Sequence, residues 1–209
     1  FVPYPKEKKQ ASLKVKKSGS VRLRSPQWRF SLMLAVIAGI IICFNSIISL
    51  RVPDIIVDAR MGTATTAGTV LSLMQLTGIV AGVGFASLTH VFKKNLLMIM
   101  CFGFGLALAL IGLSGQLWSL VLGTLLAGFT YSTGVTSIFY HLSEKIPTNL
   151  LNLATSLVLI GCNLGSAVSS FFIQLVTPLA PSNHLLFVWI GALMVLTGVF
   201  ASQLLARTK

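Results

Sequence analysis

Acidic residues are nearly absent from this 209-residue chain, with Glu7, Asp54, Asp58 and Glu144 set against 16 lysines and arginines. All four lie outside the long apolar runs or near their ends, so no run carries a central carboxylate for proton or cation binding. Charge of either sign makes up 10% of the residues, too little to cover the surface of a water-soluble domain of this length. Cys43, Cys101 and Cys162 stand singly in three different apolar runs, without CxxC pairing or neighbouring histidine. They read as small hydrophobic residues, and neither a metal site nor a disulfide framework is implied. The chain also lacks HExxH, GxSxG and any Gly-rich phosphate loop ending in Gly-Lys-Ser or Gly-Lys-Thr. Its histidines are spread over both expected faces. A membrane-embedded enzyme, which needs a nucleophile, acid, base or metal set converging at one depth, is therefore disfavoured, and no cofactor is expected.

What the chain has in abundance is apolar sequence: 55% of residues are hydrophobic and mean hydropathy is +0.88. A hydrocarbon core of about 30 Å takes about 20 apolar helical residues to cross. Six stretches meet that length: Trp28 to Leu50, Thr66 to Thr89, Asn95 to Leu113, Leu117 to Tyr140, Leu150 to Leu175 and Leu185 to Leu205. The runs lack the alternation of a barrel strand, and an open sheet leaves backbone groups unsatisfied in lipid. The expected fold is all-α, a polytopic membrane protein of six transmembrane helices. A basic cytoplasmic linker (1–27), a six-helix transmembrane domain (28–206) and a short cytoplasmic tail (207–209) make up the chain. Short connections at Arg51 to Asp54, Ser114 to Gln116, Lys145 to Pro147 and Pro178 to Pro181 make successive helices antiparallel.

Nine of the sixteen basic residues fall in the first 29 positions, at or before the start of the first run. Beside a membrane helix such a tail is a topology signal that also favours anionic headgroups, and it lacks the zinc-ligand spacing and aromatic interleaving of a nucleic-acid binder. With the tail inside, Lys93, Lys94, Lys145, Arg207 and Lys209 also fall inside, and Arg51 and Arg60 fall outside. Both termini are then cytoplasmic and the location is the plasma or inner membrane. Trp28, Trp118 and Trp189, and likewise His90, His141 and His184, sit near run ends as interfacial residues. Gly78-xxx-Gly82, Gly82-xxx-Ala86, Gly123-xxx-Ala127 and Gly161-xxx-Gly165 supply small-residue faces for helix packing. The six runs also divide three plus three, an arrangement compatible with an inverted repeat.

Polar groups within a bilayer are costly unless paired or facing a cavity. Asn45, Gln75, Tyr131 and Asn163 are therefore the candidates for solute contact, with interhelical hydrogen bonding as their plainer role. The amides Gln75 and Asn163 are harder to satisfy within their own helix, whereas Ser132 and Thr133 can bond back to the preceding turn. Arg51 is placed to pair with Asp54 or Asp58.

Two segments carry a family resemblance. The first is Val52-Pro-Asp54, Met61-Gly62-Thr63, Ala67-Gly68 and the Gly-rich run ending at Phe92-Lys93-Lys94. The second is Leu142-Ser-Glu-Lys-Ile-Pro147 followed by Asn152, Ala154-Thr155-Ser156 and Gly161-Cys-Asn-Leu-Gly165. Together they resemble the C-terminal six-helix half of the major facilitator superfamily. Of the family's inner-loop motif only Lys93-Lys94 is represented, since Thr89, His90 and Phe92 stand where its acidic residue and glycine belong. The resemblance implies that the chain is part of something longer and that the basic tail joins two halves. It further implies that an N-terminal six-helix half is the partner, that a small solute is carried by alternating access, and that Asn45, Gln75, Tyr131 and Asn163 line the central cavity. Any proton-accepting carboxylate then belongs to the partner half. A non-transporting structural remnant of a split transporter is the other expectation left open by the sequence.

Overall fold

The computed structural model describes residues 25–92, 95–178 and 182–207. The basic segment up to residue 24, the Lys93-Lys94 pair, most of the Pro178 to Pro181 turn and the last two residues lie outside these. The described residues form six α-helices and no strand: α1 Ser25–Asp58, α2 Ala64–Phe92, α3 Leu96–Gly112, α4 Leu117–Lys145, α5 Thr148–Val176 and α6 Asn183–Arg207. All but α3 are long and apolar enough to cross a membrane. With 17 residues, α3 sits at the lower bound for a spanning helix and rises about 26 Å.

The first connection differs from expectation. Val52 and Pro53 do not end α1, because the helix runs on to Asp58 with Pro53 inside it. Proline removes one helical N–H, so the Ser49 carbonyl loses its partner. This is tolerated near a helix end, where only two more turns follow. The chain turns instead at Arg60, the one non-glycine residue with positive φ among those described. Arg60 N donates to Val57 O and Met61 N donates to Ile56 O, the paired bonds of a Schellman cap. The other short connections fall where the sequence predicts, between Gly112 and Leu117 and between Lys145 and Thr148.

Packing follows a definite pattern. α1 lies principally on α5, α2 on α4, and α3 on both α4 and α6. Glycine sets how close these pairs come. A Cβ added at Gly161 or Gly165 would overlap the backbone of Ala35 or Gly39, so α1 and α5 touch main chain to main chain. Gly128 is pressed in the same way on the Met74 carbonyl of α2, and Gly105 and Gly191 face each other reciprocally between α3 and α6. Gly123 meets Ile111 and the Ala107 carbonyl of α3. The Gly161-xxx-Gly165 and Gly123-xxx-Ala127 faces are thus seams as expected. Gly82 is not, because nothing lies within 4 Å of its would-be Cβ, so the expected Gly78-xxx-Gly82 face meets α4 at Gly78 and is open at Gly82.

Candidate functional site

Burial is uneven. Half or more of the most apolar stretch is buried in α1 and α4 (56% and 50%), but only 17% in α2 and 17% in α5. The two peripheral helices therefore present most of their circumference outward, and the chemistry of that exposed arc divides lengthwise.

On α5 the exposed polar residues Asn149, Asn152, Ser156, Asn163, Ser170 and Gln174 are spaced by three, four or seven. At 3.6 residues per turn they form one stripe, interrupted by Leu159. Leu153, Ile160, Leu164, Val168, Phe171 and Leu175 form a second exposed stripe beside it, wholly apolar. Ala154, Gly161 and Gly165 occupy the face that meets α1. The same division appears on α2, where Thr65, Gly68, Ser72, Gln75, Gly82 and Ala86 make a small and polar stripe interrupted by Ile79. Leu73, Leu76, Val80, Val83 and Val91 make its apolar neighbour. A helix bathed only by lipid has no physical reason to keep amides and hydroxyls aligned along one exposed edge, four amides in the case of α5.

The four sequence-selected residues occupy different settings. Gln75 and Asn163 are exposed and both fall on the polar stripes. Asn163 Nδ2 donates to Leu159 O at 3.0 Å, so its amide is half satisfied within its own helix after all. Asn45 is half-buried, and its Oδ1 is fully enclosed with no hydrogen-bond partner among the described residues. An enclosed, unpaired carbonyl oxygen costs roughly 1–3 kcal/mol. Tyr131 turns inward and rests on Phe104 of α3, ring centroids 6.4 Å apart. The stripes thus unite Gln75 and Asn163 in kind, while Tyr131 belongs to the packed interior.

Hydroxyls mostly serve the backbone. Thr133 bonds back to Phe129 O, as expected from sequence. Ser132 instead crosses to Gly78 O of α2 at 2.9 Å, and Thr77 crosses to Leu125 O of α4 at 3.1 Å, so this seam is stitched from both sides. At the far end of α1, Arg51 approaches Asp54 at 3.8 Å and donates to the Thr177 hydroxyl at 3.2 Å, tying α1 to the end of α5. His184 reaches the Gly112 carbonyl, which fastens the start of α6 to the end of α3. His141 is buried with Nδ1 3.6 Å from Glu144, while His90 is exposed at the last turn of α2.

Sequence reasoning picked the amides but missed the stripes around them. Ser156, Ser170 and Gln174 become visible only when positions are compared at helical spacing. Fold and site together define a helical integral membrane protein with polar edges on two peripheral helices. The chain matches no known protein family and no curated protein.

Proposed function

We propose that the chain is the C-terminal six-helix half of a secondary transporter resembling the major facilitator superfamily, moving a small solute by alternating access. The observation that carries this reading is the pair of exposed polar stripes on α2 and α5. They are surfaces that lipid does not reward and that a solute path between two half-bundles requires.

The packing supports it. If helices one to three are exchanged with four to six, the α1 and α5 contact becomes the α4 and α2 contact and the α3 and α6 pair maps onto itself, whereas the close α3 and α4 contact has only a slight counterpart between α6 and α1. The reciprocal Gly105 and Gly191 approach is what a local two-fold axis produces. An inverted three-plus-three repeat accounts for this pattern, and under it both stripes come to one face of the bundle. A matching N-terminal half covers that face, leaving Gln75 and Asn163 beside a shared cavity and Asn45 behind them. Both termini are then cytoplasmic, in the plasma or inner membrane, and α3 crosses the membrane with the rest.

Proteoliposomes carrying this chain alone, or with its matching half, test the reading with a panel of labelled sugars, organic anions and hydrophobic cations. Flux of at least one solute is expected only with both halves present. Asn163→Leu should then reduce it about tenfold, the loss of one well-made polar contact. Absence of flux in every combination defeats the proposal and leaves the chain an inert remnant.

A further inference from the structure

Beside the polar stripe of α5, on its apolar side, α1, α5 and α6 line a groove of about 720 Å³. Its floor is the glycine seam of Gly39, Gly161 and Gly165, where the α1 and α5 backbones meet directly and no side chain stands up into the groove. Its walls are aliphatic and aromatic, and Thr197, the polar exception, spends its hydroxyl on Leu193 O of its own helix. Nothing in the walls offers a hydrogen bond to a polar occupant. From Leu32 to Phe44 the α1 wall rises about 18 Å, close to the depth of one leaflet of a bilayer whose apolar core is about 30 Å thick. The line of wall residues Leu32, Val36, Ile40 and Cys43 continues at helical spacing to Arg29, which is exposed one turn beyond the groove.

We propose that this groove is a binding site for one acidic phospholipid of the leaflet facing the start of α1, its acyl chain in the slot and its phosphate on the Arg29 guanidinium. A one-leaflet length, an almost wholly apolar lining and a basic group at the mouth specify a chain with an anionic head. The guanidinium suits the phosphate because it presents a rigid fork of donors to its oxygens.

The test uses the full chain in nanodiscs of phosphatidylcholine doped with a phospholipid bearing a photoactivatable acyl chain, as the phosphatidylglycerol or the phosphatidylcholine form. Adducts are mapped by peptide mass spectrometry, which separates the groove from lipid gathered by the basic tail. Adducts on Ile40, Cys43, Leu193 and Leu196 are expected, about fivefold more abundant with phosphatidylglycerol, the preference one basic group near the surface confers. Arg29→Gln should bring the two forms to parity, and Val36→Trp should remove groove adducts of both. Val83→Trp, at an exposed position on α2, should do neither. Equal labelling of both forms by the unaltered chain, or groove adducts insensitive to both Arg29→Gln and Val36→Trp, overturns the proposal. A dimer in the nanodisc that Val36→Trp splits also overturns it, by showing that a second copy fills the groove.

Discussion

Single residues decide how tightly the helices of this bundle meet, and glycines of equal standing in the sequence carry unequal weight. Gly165 has the Gly39 backbone where its Cβ would go, whereas Gly82 has open space. Gly165→Ala must push α1 and α5 apart, and overpacking of this kind costs about 1–3 kcal/mol. Gly82→Ala should be neutral or gain up to about 1 kcal/mol from the helix preference of alanine. Reversible unfolding in mixed micelles measures both, and equal effects at the two positions would contradict the main-chain seam. Arg60 offers a third substitution. It holds φ 53° as the left-handed residue of the α1 cap, a place where side chains other than glycine are strained. Arg60→Gly should therefore stabilise the chain by about 0.5–1 kcal/mol in the same assay, and a loss would mean that the Arg60 side chain matters more than its backbone. None of this was legible from small-xxx-small spacing. The motif marks where backbones are able to approach, and only the partner helix decides whether they do.

Among the elements, the spans were legible in sequence because twenty apolar residues in a row have few other uses. The end of α1 was not, since proline and aspartate at residues 53 and 54 carry the same punctuation whether they stop a helix or ride in its last turns. Asn163 was legible as an unusual group in an apolar run. Its stripe was not, because the signal lies in the relation of Asn152, Ser156, Asn163 and Ser170 to one another rather than in any one of them. The stripe makes its own prediction. With Cys43, Cys101 and Cys162, all buried, replaced by alanine, single cysteines at 156, 163 and 170 should react with a small water-soluble maleimide in the assembled two-half protein. Cysteines at 153, 160, 164 and 171 should react at least tenfold more slowly, since thiolate forms poorly against acyl chains. Uniform labelling of both sets would mean that α5 faces water or lipid on all sides and would remove the solute path.

The whole molecule turns on the number of crossings, and α3 is where the count is most open to a decisive measurement. Its 17 residues cover about 26 Å, slightly less than the hydrocarbon core, so the proposed sixth crossing requires it to stand nearly upright with its ends at the two interfaces. The packing gives it support for that, since α3 is clasped by α4 on one side and by α6 on the other, with Gly105 and Gly191 at the point of closest approach. Six crossings with short connections fix a strict alternation of sides. Cysteines introduced at the exposed positions His90 and Ser143 should then be labelled by a membrane-impermeant reagent from one side, and those at Gly115 and Thr177 only from the other. Under the proposed reading, the excess of lysine and arginine at the ends shared with His90 and Ser143 predicts that this side is the cytoplasmic one. If instead His90 and Gly115 were reached from the same side, α3 would be a re-entrant helix and α4 would run the opposite way. The proposed inverted repeat would then be lost, and with it the case for a rocking carrier, because a single face could no longer collect the polar edges of both α2 and α5.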